Sequence, residues 1–489
     1  MPALLERPPI TAPEAEVTGG GVTRPASAPA RHRGPGRDLF IDLLRLFGIA
    51  VVVLEHWSIP VLSYAQGRIT TGNAFTTPGA FAITWITQVM PLVFFAGGAA
   101  NAISHRSHLA RGGGEPLWLA GRVRRLAWPV FPLAVVWIPL PHLLLALGLP
   151  EQPVQTAARL AGQLLWFLAI YLLAVALTPV LLRLGERYGW RVPAALAAGA
   201  VVVDVVRFNG LEAAGFLNVG LVWLAVHQLG FLYASGRLRG YRLMAAGGFA
   251  AAVALVAFGP YPGSMIGMPG AAMSNMAPPT AALLAVAFGQ IGLAMILRPA
   301  ILRLAARPAV GRIVTWAGPR MMTVYLWHMS ALFVVAGVAV VGLGIATPAP
   351  GGAAWLAGWP IWLTALVLVV RPLIRLFARF EEPPATSYGT TGRTLGGRPD
   401  GATGRTPDRA PGWAPGWAPG WAPGWARALS SAALAGAGLL TLTITGFATG
   451  VTPMLGSAAI VTGLALVTPA GNRNRSRRGA AQPSASSQT

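Results

Sequence analysis

The chain has 489 residues, of which 54% are hydrophobic and only 11% charged, against about 25% charged in an ordinary soluble domain. Its formal charge of +22 is carried by arginine alone, and those arginines are scattered over short segments between apolar runs. They do not form the single water-exposed basic face that a nucleic-acid binder needs, and the composition excludes a soluble enzyme. No cysteine is present, which removes disulfides, thiol nucleophiles and thiolate metal ligands from consideration.

Residues 1–36 are rich in Pro, Ala, Gly and Arg and lack the apolar core of a cleavable signal peptide. They read as a disordered cytoplasmic tail, with the first membrane helix serving as the targeting signal. A spanning helix needs about 20 mostly apolar residues. Ten stretches qualify, near 39–60, 80–104, 126–148, 161–183, 192–208, 217–235, 243–260, 280–298, 322–346 and 352–376. The expected fold class is therefore all-α, a polytopic transmembrane bundle whose ten-helix core occupies residues 37–380.

The loops orient these spans through the positive-inside rule. Arg31, Arg33 and Arg37 precede the first span, and Arg106, Arg111, Arg122, Arg124 and Arg125 lie between the second and third. Further clusters at Arg183, Arg187 and Arg191, at Arg237, Arg239 and Arg242, and at Arg303, Arg307, Arg312 and Arg320 occupy the later loops on that side, and Arg371, Arg375 and Arg379 follow the tenth span. The alternate loops hold single arginines at Arg68 and Arg159, with Arg207 near another, and none in 261–279 or 347–351. A multi-pass protein of the cell membrane with both termini cytoplasmic fits every loop.

Residues 381–428 turn to Gly, Pro, Thr and Arg, with Gly-Trp-Ala-Pro repeated through Trp413, Trp417, Trp421 and Trp425. Such a segment cannot bury a core and reads as a linker. Residues 429–470 are apolar again and broken near Pro453, as two further C-terminal spans would be, and 471–489 read as a disordered basic tail.

Ionisable residues inside spans are costly and mark functional sites by default. The first span holds Asp42, Arg45, Glu55 and His56. Eleven residues at 3.6 per turn amount to about 1,100°, which brings His56 to within about 20° of Arg45, and Asp42 falls about 40° from His56. These three form one polar stripe, while Glu55 projects elsewhere. The rise from Arg45 to His56 is roughly 16 Å, about half of a 30 Å hydrocarbon core. A simple Asp42–Arg45 pair with His56 bonded to a neighbouring helix is the structural alternative; three such groups on one face favour a polar cavity.

Tyr325 and His328 share a face of the ninth span, and His227-Gln228 in the sixth reads as a structural interhelical pair. Arg122, Arg124 and Arg125 stand where the third span enters the membrane, as a positive-inside anchor or as a site for phosphate oxygens, which guanidinium forks match.

The order of Asp42-x-x-Arg45, His56, Pro91-Leu92-Val93-Phe94-Phe95-Ala96-Gly97-Gly98, Arg122-x-x-Arg125-Leu126 before Pro129, Leu165-Trp166-Phe167 and Tyr325-Leu326-x-His328 resembles the acyltransferase-3 family of integral membrane acyltransferases. That resemblance spans about 37–380. It implies transfer of an acyl group, commonly acetyl, from cytoplasmic acyl-CoA to a hydroxyl of a carbohydrate or glycosylated product, as in polysaccharide O-acetylation. By the same resemblance His56 is the catalytic histidine with Arg45 its basic partner, and Asp42 belongs to the same group. Arg122 and Arg125 bind the acyl-CoA, and Tyr325 and His328 support the site. The expected co-substrate is acyl-CoA, with acetyl-CoA the leading candidate, and no metal is expected; the expected partners are the lipid bilayer, the donor and the glycosylated acceptor, with no nucleic acid. Where the family often carries Ser-Gly after its Phe-Phe pair this chain has Ala96-Gly97-Gly98, so no serine stands there. The rival reading is a transporter or flippase for a glycosylated or acylated product, because His, Asp and Arg within a bilayer also build proton relays. A further rival is a membrane scaffold that docks through the Trp-Pro linker.

Overall fold

A computed structural model describes residues 38–76, 79–267, 273–384 and 424–468. The tails expected at 1–36 and 471–489 and most of the expected linker lie outside the described residues. Helix α1 (Leu39–Ser58) starts where Asp38 Oδ1 accepts the backbone N–H groups of Phe40 (3.0 Å) and Ile41 (3.3 Å), satisfying two donors that a helix start leaves open. It runs into an antiparallel hairpin, β1 (Pro60–Ala65) and β2 (Arg68–Asn73). The connecting Gln66 and Gly67 both have positive φ, 51° and 75°, which a two-residue hairpin turn of matching twist requires.

The second span, Ala80–Ala110, contains the short α2 (Thr84–Thr87) and α3 (Met90–Ala110). The third is α4 (Glu115–Ala127), α5 (Val130–Trp137) and α6 (Pro139–Ala146), divided at Pro129 and Pro139, whose rings interrupt the hydrogen-bond ladder. The fourth joins α7 (Glu151–Gln163) to α8 (Leu165–Tyr188). Then follow α9 (Arg191–Phe208), α10 (Asn218–Ala234), α11 (Tyr241–Phe258) and α12 (Ala281–Ala305). Helices α13 (Pro308–Ala317) and α14 (Met321–Ala336) make the ninth span, and α15 (Ala353–Phe377) makes the tenth. Beyond the linker stand α16 (Trp425–Thr445) and α17 (Thr452–Leu466).

Nine helical stretches among the described residues are long and apolar enough to cross a membrane. Helices α1 and α9 have the length but carry three charged residues each, Asp42, Arg45 and Glu55 in the first and Arg191, Asp204 and Arg207 in the second. One boundary differs from the hydropathy reading in a way that matters. The apolar run begins near 126, yet helix α4 starts at Glu115, with Gly114 extended at the cap and Pro116 in the first turn. Arg122, Arg124 and Arg125 therefore project from a regular helix rather than from a loop.

Without a hydrophobic force between helices in lipid, close packing of small residues holds them together. A Cβ at Gly98 of α3 would stand 2.1 Å from the carbonyl oxygen of His227, and one at Gly230 of α10 would stand 2.2 Å from that of Phe95. These two glycines bring α3 and α10 into backbone contact. The C-terminal pair is equally integral. A Cβ at Gly162 would meet Leu442 O at 2.3 Å, the Phe447 N–H donates to Ala158 O at 2.8 Å, and the buried Phe447 ring stacks on Trp137 with centroids 6.4 Å apart.

Candidate active site

Near the hairpin end of α1, His56 meets α14. Its Nδ1 lies 2.8 Å from Nε2 of His328, and the rings stack at 10° with centroids 5.1 Å apart. The Nδ1 of His328 lies 2.7 Å from the carbonyl oxygen of Tyr325 and 3.3 Å from that of Val324. Carbonyl oxygens only accept, so His328 Nδ1 carries its proton, and in the neutral ring Nε2 is the lone pair. That lone pair takes the Nδ1–H of His56, which leaves the lone pair of His56 on Nε2. No hydrogen bond among the described residues occupies that nitrogen.

The neighbours fix both rings. Trp57 Nε1 donates to His328 O at 2.9 Å, and Trp362 Nε1 donates to Trp57 O at 2.9 Å. Tyr325, on the same face as His328, turns its hydroxyl away to donate to Leu164 O at 2.6 Å, across to the fourth span. Its backbone carbonyl, rather than its phenol, serves the histidine pair. Glu55 lies beside Thr87 instead, off the stripe, as its position on the helix requires.

The opposite end of the stripe is basic. The positive fields of Arg45 and Arg125 both act on Arg122, whose guanidinium also lies over the Trp118 ring at 5.8 Å. Arg122 Nη2 donates to Asn101 Oδ1, and its Nε is buried with no partner among the described residues. Arg125 is exposed and feels the carboxylate of Glu381. Three guanidinium groups thus act on one another in one region, and an anionic ligand would relieve their mutual repulsion.

Other polar groups have structural partners. Gln228 Nε2 donates to Leu181 O at 2.9 Å, and His227 Nε2 meets Asn101 Nδ2 at 3.1 Å, so His227-Gln228 is an interhelical pair. Asp204 of α9, fully buried, accepts from Asn218 Nδ2 at 2.8 Å, the Ala281 N–H at 2.7 Å and Tyr261 OH at 3.1 Å. Burial beside this carboxylate pushes the Tyr261 phenol, outside the spans, well above its ordinary value. Among the described residues no group of three His, Cys, Asp or Glu side chains could hold a metal ion.

A model of an acyltransferase domain, Acyl_transf_3, matches residues 38–371, a stretch that contains the histidine pair and the arginine cluster. The chain belongs to this acyltransferase family. It is a membrane acyltransferase, and the matched region ends before α16 and α17. Neither curated proteins nor solved structures yield a match.

Proposed function

We propose that this acyltransferase moves an acyl group, acetyl in the first instance, from cytoplasmic acyl-CoA to a hydroxyl of a carbohydrate or glycosylated product. The observation that carries this reading is the lone pair left on Nε2 of His56 once Nδ1 is committed to His328. A neutral imidazole with its tautomer fixed and one nitrogen unoccupied is a general base suited to neutral pH.

In the proposed reaction His56 Nε2 takes the proton of the acceptor hydroxyl as its oxygen attacks the thioester carbonyl carbon. The tetrahedral intermediate collapses with cleavage of the C–S bond, and the imidazolium returns the proton to the departing thiolate. The products are the ester and free CoA. His328 accepts the His56 Nδ1–H throughout and so spreads the positive charge that forms on the base. The CoA phosphates dock on Arg122 and Arg125, with Arg45 adding its field and Asp42 shaping the same wall. With the basic end cytoplasmic, as the positive-inside rule directs, the thioester is carried along the stripe from the phosphate-binding end toward His56, a rise of roughly 16 Å.

The test is release of free CoA from acetyl-CoA by the purified protein in lipid, with and without a glycosylated acceptor. Acceptor-dependent release is expected. A well-folded protein that carries a glycosylated substrate across vesicles while releasing no CoA would replace this reading with the transporter.

A further inference from the structure

The guanidinium of Arg122 is held by an uncharged partner. Asn101 of α3 is fully buried, and its amide is oriented without ambiguity: a guanidinium can only donate, so Oδ1 faces Arg122 and Nδ2 faces Nε2 of His227, 3.1 Å away. The Tyr171 hydroxyl of α8 lies 3.5 Å from the same Oδ1 and 3.4 Å from Gly97 O, beside the Arg122 guanidinium on which it acts. His227 is fully buried, and the amide donating to its Nε2 leaves Nδ1 as the protonated nitrogen of a neutral ring. The orientation of Asn101 is thus over-determined by residues of α10, α8 and α4. The close α3–α10 contact at Gly98 and Gly230 brings His227 within reach.

We infer that Asn101 is a positioning residue for the acyl donor: a neutral acceptor that aims Arg122 while leaving its full positive charge available to the CoA phosphates. The inference rests on the donor reading above and extends it to a residue without charge. Its physical content is the choice of amide over carboxylate. A buried carboxylate at 101 would hold the arginine as well or better, but it would neutralise it, and an already paired guanidinium has little field left for a phosphate. Arg45 and Arg125 repel Arg122, so the site also needs a fixed acceptor to keep the three cations together before the ligand arrives. The amide supplies that hydrogen bond at no cost in charge.

Binding of free coenzyme A to the purified full chain in lipid nanodiscs, measured by calorimetry over a series of salt concentrations, tests this. The wild-type protein should bind with an affinity that falls as salt rises. Asn101→Asp should fold with a melting temperature no lower than wild type, yet bind coenzyme A at least about tenfold more weakly and with a flatter salt dependence, because one cation is consumed internally. In turnover the loss should appear in KM for the donor, with kcat retained at saturation. Asn101→Ala, which removes the acceptor without adding charge, should weaken binding while keeping the salt slope, and Tyr171→Phe should do so to a smaller degree. A folded Asn101→Asp protein with wild-type affinity and salt dependence overturns the inference. Should that variant fail to fold, wild-type affinity in both Asn101→Ala and Tyr171→Phe overturns it instead. Absence of any coenzyme A binding by the wild-type chain removes the donor reading itself.

Discussion

His56 and Glu381 are the two residues whose chemistry is most open to direct measurement. Replacing His56 by Ala removes the nitrogen assigned to proton transfer, and turnover in the CoA-release assay is expected to fall by about 10²–10⁴ while coenzyme A binding stays near wild type. His328→Gln, whose amide oxygen is able to accept the His56 Nδ1–H, should retain more activity than His328→Leu, which leaves that proton without an acceptor; equal loss in both would count against the role given to His328. Glu381, just past α15, accepts the backbone N–H groups of Met322 and Thr323 at 2.8 Å each and the Thr323 hydroxyl, closing the open start of the helix that carries His328. Burial pushes its carboxyl above the ordinary carboxylate range, with those hydrogen bonds and Arg125 partly opposing it. A folded-state value raised above the unfolded one means that the folded protein binds more protons in the interval between them. Stability therefore falls as pH rises through that interval. Thermal unfolding of wild type and Glu381→Gln across the weakly acidic to neutral range should show this slope in the first and not in the second.

At the level of elements, α3 and the C-terminal pair do the positioning. Gly98→Val would drive a branched side chain into the His227 carbonyl, only 2.1 Å from where the Cβ must sit. The two backbones cannot both stay in place, so loss of the folded protein from detergent extracts is expected, whereas Gly121→Ala on α4, with open space around its Cβ, should be tolerated. Helices α16 and α17 lie beyond the matched acyltransferase region, yet α16 packs on α4 and α8, which supply Arg122 and Tyr171. A chain ending at residue 384 should accordingly melt at a lower temperature and bind coenzyme A more weakly than the full chain. Unchanged melting and binding would mark the pair as an independent appendage.

For the whole molecule the question is which end faces the donor. The chain has no cysteine, so single cysteines report orientation without background. Thr71→Cys on the β-hairpin should react with a membrane-impermeant maleimide added to intact cells, and Ala110→Cys at the basic end should react only after the membrane is opened. The opposite pattern would place the arginine cluster away from cytoplasmic acyl-CoA and contradict the proposed reaction.

The sequence alone determined the membrane architecture, because a bilayer leaves an apolar run of about 20 residues few options but a spanning helix. Helical periodicity also put Arg45 and His56 on one face, since the angle between them is local geometry. What it could not supply was any pairing between spans. His328 lies 272 positions from His56, and no period along the chain joins them. Asn101 is a single amide in an Ala- and Gly-rich run, carrying no charge to draw notice. The start of α4 at Glu115 was hidden because its first turns are amphipathic rather than apolar, and hydropathy registers only the latter. The tertiary structure decided which polar atoms meet. In lipid a buried polar group must find a partner in the protein, and which partner it finds depends on helix packing that small residues such as Gly98 and Gly230 permit.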